Sequence, residues 1–120
     1  MAGRIKAGVS EMTKKNKPPV QLMKFDKGKP RFGLLHPKAL NEIARVFTHG
    51  AVKYNSWNWM AGTSWERYYS ALQRHLNAYW DREDYDRGSG LLHLAHSGCC
   101  IMILLVYQLL KIGKDDRPKA

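Results

Sequence analysis

The sequence predicts a small all-α domain, a helical bundle of three main helices whose core is completed by oligomerisation. Three observations lead there: apolar residues recur at helical spacing in three stretches, start and stop residues bracket those stretches, and the last one is apolar nearly all round. A chain of 120 residues suits one domain, because a core of that size outweighs chain entropy with little surplus. Its 44% apolar and 11% aromatic residues exclude a wholly disordered polymer.

The first helix is expected to open at Pro37, whose fixed φ and missing N–H suit an opening turn, and to stop before Gly50. Leu40, Ile43, Ala44 and Phe47 give it one apolar face. Residues 51–62 hold Tyr54, Trp57 and Trp59 and read as a structured loop or short helical turns. Thr63 and Glu66 then stand three apart as a capping box, opening a second helix that runs to about Arg82. Its polar stripe is Glu66, Ser70, Gln73, Asn77 and Asp81; Leu72, Leu76, Tyr79 and Trp80 lie opposite, with His75 on their side. Trp65 and Trp80 suit the core better than Trp57 and Trp59 do. Residues 81–90 form an acidic hinge, and a third helix is expected from about Leu91 to Ile112, closed by Gly113. Its run from Cys99 to Leu110 is too apolar for three helices to cover, so a second copy of the chain is the simplest cover.

Net charge is +10, and Arg4, Lys6, Lys14, Lys15 and Lys17 concentrate part of it before Pro18-Pro19, which marks residues 1–19 as a flexible basic tail. Such a surface favours phosphate-bearing partners without choosing between nucleotides, nucleic acid and membrane. Adjacent Cys99 and Cys100 inside an apolar run suit packing rather than bridging, implying a reducing compartment. No secretory signal is read at the start, and the run from Cys99 to Leu110 is short for a bilayer, so a cytoplasmic protein with no membrane partner is expected. Patterns of the GxxxxGK[ST], paired CxxC and GxSxG kinds are missing, which removes most of the weight from those classes.

Two constellations could carry chemistry. His93 and His96, three apart, project about 60° apart on one helix face. With His75 and with Glu83, Asp84 or Asp86 from the hinge they could form a mixed nitrogen and oxygen metal site; equally, the histidines could be hydrogen-bonded core residues and the acids a solvated loop. The second constellation is cationic and aromatic. Lys24, Lys29, Arg31 and Lys53 suit phosphates, while Tyr54, Trp57 or Trp59 suits stacking on a base. Residues 20–112 are accordingly expected to be a helical nucleotide-binding domain, and 113–120 a C-terminal tail.

Taken together, Lys24-Phe25-Asp26-x-Gly28-Lys29-Pro30-Arg31-Phe32, Ala44-Arg45-Val46, Gly50-Ala51-x-Lys53-Tyr54, Asn58-Trp59, Arg74-His75-Leu76 and Gly90-Leu91-x-His93-Leu94-Ala95-His96 resemble the largely phage-encoded dATP/dGTP diphosphohydrolase N-terminal domain family. The resemblance spans roughly Lys24 to Leu110. It implies an all-α fold like the MazG-type nucleotide pyrophosphohydrolases and cleavage of a purine deoxynucleoside triphosphate to monophosphate and pyrophosphate. The expected cofactor is Mg²⁺ or Mn²⁺, with His93, His96 and Asp86 on the metal and with Glu83, Asp84 and His75 as catalytic groups. MazG-type enzymes hold metal with paired helical acids; here Glu66 faces Tyr69 three residues on, and His93 and His96 stand on the third helix. A phage protein that binds or sequesters a nucleotide without cleaving it is the competing expectation. A nucleic-acid accessory protein, supported by the charged tails, ranks behind both.

Overall fold

The computed structural model describes residues 21–119, and the basic tail expected at 1–19 lies outside them. The chain divides into two units, Met1–Arg31 and Phe32–Ala120. In the first, the described residues 21–31 are exposed, with one turn in which Lys29 N–H donates to the Asp26 carbonyl (3.0 Å) across Gly28 at φ 83°.

The second unit is helical. A 3-10 turn at Phe32–Leu34 precedes α1 (Pro37–Tyr54), a second turn at Asn58–Ala61 leads to α2 (Trp65–Trp80), and α3 (His93–Leu110) ends the bundle. Three main helices, and no strand among the described residues, make the expected all-α class the observed one. Both α1 and α2 pack on α3, which is the central element.

Helix α1 opens as its sequence dictates, with Pro37 in the first turn and His36 Nδ1 accepting the Lys38 N–H (3.1 Å). It does not stop before Gly50. Gly50 keeps a helical backbone, and the chain leaves the helix one turn later at Asn55, φ 81°. A glycine can end a helix but does not compel it to end, since its cost inside one is only about 1 kcal/mol.

Helix α2 is shorter than expected, and its first turn is capped differently. Thr63 and Glu66 form no capping box, because the N-cap position falls on Ser64; the Thr63 carbonyl accepts the Lys114 N–H (3.1 Å), and the Lys114 carbonyl accepts the Trp65 N–H (2.9 Å). The open Glu66 N–H is taken by Asp116 Oδ1 (3.0 Å). Trp65 Nε1 donates to the Ile112 carbonyl (2.8 Å), so residues 112–116 are bonded along the start of α2. At the other end Arg82, φ 69°, turns the chain out of the helix, and Trp80, expected in the core, is 84% exposed.

The core gathers on α3. Val46, Ala95, Cys99, Ile103 and Tyr107 are buried, with Ile43, Phe47, Trp59, Trp65 and Tyr68 packed around them. Tyr107 is wholly buried, and its hydroxyl donates to the Trp59 carbonyl (2.6 Å), which satisfies a polar atom that would otherwise cost about 1–3 kcal/mol. Trp59 therefore belongs to the core after all. Helix α3 runs from His93 to Leu110, two residues inside each expected bound, and is capped by left-handed Lys111. It has mean hydropathy 1.6 over 18 residues, long and apolar enough to cross a bilayer by composition, yet its buried residues are the bundle core. Leu94, Ile101, Leu105 and Leu109, at helical spacing, are exposed in the single chain; they form the stripe for which the sequence expects a second copy.

Gly113 has φ 77°, and a Cβ there would run into the Thr63 carbonyl oxygen. Both the left-handed backbone and the backbone contact oppose a side chain. Gly113→Ala is expected to cost on the order of 2–4 kcal/mol, lowering Tm by roughly 10 °C or more in a thermal melt. A melt within about 2 °C of the parent would contradict the close approach of residue 113 to residue 63.

Candidate active site

The acidic hinge is an ordered loop folded against the start of α3. Glu83 N–H donates to the Ala78 carbonyl (2.9 Å), Asp86 N–H to that of Leu91 (2.8 Å), and His93 N–H to that of Asp84 (2.9 Å). The last of these bonds satisfies the first open N–H of α3, and together they carry the hinge carboxylates to its histidines. Within the loop, Asp86 Oδ2 accepts the Ser89 N–H (2.8 Å), and Ser89 Oγ accepts the Leu91 N–H (3.1 Å).

One cluster results. His75 of α2 meets His93 of α3 with their Nδ1 atoms 2.8 Å apart, and His93 Nε2 meets Glu83 Oε2 at 2.8 Å. The His75 ring also stacks on His96, centroids 4.4 Å apart and planes 7° from parallel. His96 Nε2 lies 2.7 Å from Ser89 Oγ and 3.9 Å from Asp86 Oδ2. His93 is 4% exposed, whereas Arg87, 3.6 Å from Glu83, is held by a surface pairing worth little.

A cavity of about 900 Å³ opens beside this cluster. His75, Asp86, Ser89 and His96 line one part of its wall; His93, Glu83 and Asp84 do not. Lys53, Tyr54, Trp57 and Trp59 line another part. Trp57 sits at φ 62°, a backbone region that bulky residues rarely adopt, with its side chain largely exposed and 5.7 Å from the Trp59 ring. The volume suits a ligand of nucleotide size.

Burial holds the His75 imidazole below its ordinary 6.5, and nearby His96 and His93 add to the shift. Burial likewise lowers His96, against the opposing pull of Asp86. For Asp86, burial pushes upward but is outweighed by the hydrogen bonds from Ser89 and by the two imidazoles, and the carboxyl ends below its usual range. Neutral imidazoles beside an ionised carboxylate are the protonation states that metal ligation or proton acceptance requires. Burial raises the Cys99 thiol to about 12 and that of Cys100 to about 11, so neither supplies a thiolate near neutral pH.

Of the residues singled out from sequence, His75, Glu83, Asp86, His93 and His96 are thus brought together. Asp84 contributes its carbonyl, while its side chain is exposed. Lys53, Tyr54, Trp57 and Trp59 share the cavity wall. Lys24, Lys29 and Arg31 belong to the other unit and are exposed there. Sequence reasoning missed Ser89, whose place between two glycines in an acidic loop was a signal, and His49, Asn55 and Asn58, which reach the cavity wall only through the fold.

One atom each of His75, Asp86 and His93 lies within 4.8 Å of the others, close enough for a common cation. Two nitrogens and one oxygen fit a borderline ion such as Mn²⁺ better than Mg²⁺, which prefers an all-oxygen shell.

A helical domain with a histidine and carboxylate cluster on the wall of a nucleotide-sized cavity has the build of a ligand-binding or hydrolytic α protein. The family described as dATP/dGTP diphosphohydrolase, N-terminal, matches residues 19–117, and the chain belongs to that family. A dATP/dGTP diphosphohydrolase of Salmonella phage PMBT28 is 35% identical over 95 residues, 79% of this chain and 32% of that protein. The chain thus spans about a third of the length of that relative. No solved structure matches it.

The folded protein holds His75 and His96 less basic than the unfolded chain does, so between their folded and unfolded values the unfolded state binds more protons. Their contribution to stability is complete above about pH 6.5 and is lost as pH falls through the window below it. The urea midpoint is expected to drop between about pH 7.5 and about pH 5.5, and the drop should shrink when His75 and His96 are both replaced by Gln. An equal drop in the double variant would remove these imidazoles as its source.

Proposed function

We propose that this chain hydrolyses a purine deoxynucleoside triphosphate, such as dATP or dGTP, to the monophosphate and pyrophosphate. The observation that carries the reading is the shared cavity: neutral imidazoles and an ionised carboxylate on one part of its wall, a lysine and three aromatic rings on another. Membership of the diphosphohydrolase family supports the same reaction class, as does the name of the phage relative.

In this reading the base stacks on Trp57 or Tyr54, and Lys53 neutralises phosphate charge. Water attacks the α-phosphorus, the bond to the bridging oxygen breaks, and pyrophosphate leaves. A neutral His75 accepts the proton of the attacking water. The site would hold Mn²⁺ or Mg²⁺ through Asp86 and His96, and the bound ion would polarise the phosphoryl oxygens and acidify water. The donor count suits a substrate whose phosphate oxygens complete the coordination.

A second reading has a specific observation behind it. The paired helical acids of MazG-type enzymes are replaced here by histidines, and a site so altered could retain a nucleotide without cleaving it. Incubation with dATP or dGTP and Mn²⁺ decides between them. Pyrophosphate release is expected, falling at least about 100-fold in His75→Ala. Unchanged nucleotide recovered from denatured protein, with no pyrophosphate above the His75→Ala background, would select the sequestering role. Trp57→Ala should raise KM roughly ten-fold and leave kcat near its original value, the signature of lost stacking in ground and transition states alike.

A further inference from the structure

The spacing of His93 from His96 groups it with the metal ligands, but its surroundings give it different work. It is 4% exposed and absent from the cavity wall, and both its ring nitrogens are engaged within the protein, Nε2 with Glu83 and Nδ1 with His75. We propose that Glu83 and His93 are positioning residues that fix the tautomer of His75, leaving its Nε2 lone pair free to serve the cavity. The idea rests on the reading above only in taking His75 as the group that serves substrate or metal.

Donor and acceptor rules set the direction of the chain. An ionised carboxylate can only accept, so the 2.8 Å contact between Glu83 Oε2 and His93 Nε2 requires a proton on that nitrogen. With that single ring proton, His93 has a bare Nδ1. Two bare Nδ1 atoms facing one another at 2.8 Å would repel, so His75 must carry the proton between them and donate it. A neutral His75 has one ring proton, and with that proton on Nδ1 its Nε2 is left as a lone pair. Glu83 thereby decides, across one intervening ring, which nitrogen of His75 can bind an ion or accept a proton. This is the relation in which an outer carboxylate orients a ligating imidazole. It also separates the roles of the two α3 histidines: His96 lines the cavity wall, and His93 stands behind His75.

Glu83→Gln tests this because an amide can present either its oxygen or its NH₂ group. With the NH₂ toward His93 the chain reverses, His93 Nδ1–H donates to His75, and the His75 proton moves to Nε2. The measurement is the ¹⁵N shift pattern of the histidine rings in the chelator-treated 120-residue chain near pH 7.5, with His75 signals assigned by their loss in His75→Gln. The parent is expected to show a protonated Nδ1 and a bare Nε2 at His75, and Glu83→Gln to lose that single pattern for a mixture or its reverse. Glu83→Asp, still an acceptor, serves as the conservative variant and should keep the parental tautomer wherever its carboxylate reaches His93. A parent with Nε2 protonated at His75, or a Glu83→Gln variant with the parental pattern, would overturn the proposal. The expected pattern in a chain that releases no pyrophosphate would support the relay while removing the proposed reaction, so the two can fail separately.

Discussion

A nearly buried imidazole has two nitrogens to satisfy, and the site of this protein is arranged around meeting that demand at His93. Leaving either nitrogen without a partner would cost on the order of 1–3 kcal/mol, a sizeable part of what a domain this small has to spare. The partner for one nitrogen comes from α2 and the other from the loop between α2 and α3. The contact therefore draws helix, loop and helix together at one end of the bundle.

That arrangement explains why the acidic segment is ordered. Its carboxylates could have been solvated and scattered, yet Glu83 closes on His93, Asp86 closes on Ser89, and the Asp84 carbonyl takes the first open N–H of α3. The cluster thus stands on two rigid helices with a braced loop, which is the support a precise site needs. The far end of α2 is braced in a similar way, by Lys114 and Asp116 across its first turn, so the start of the helix that carries His75 is tied to sequence-distant residues and its end to the hinge.

The aromatic part of the cavity obeys a different rule. Trp59 is tied to the core through the Tyr107 hydroxyl and through ring contacts with Phe47 and Tyr107, whereas Trp57 is held outward by a left-handed backbone. One indole is a fixed wall and the other an exposed plate. Neighbouring tryptophans of like chemistry have separate fates because the 3-10 turn at Asn58–Ala61 places them differently against α3.

Local patterns decided the helices, since propensity, capping residues and apolar periodicity act within a few turns: Pro37 opens α1 as expected, and the third apolar stretch is indeed the core helix. His93 and His96 were legible as a pair for the same reason, as a spacing of three is a fact of one helix. Which histidine faces the cavity was not legible, because it depends on where α2 and the hinge lie relative to α3. The capping of α2 by Asp116 shares that cause. Both are settled by residues far apart in the chain, and a linear sequence records neighbours along the backbone but not the distances that decide which polar atoms find partners.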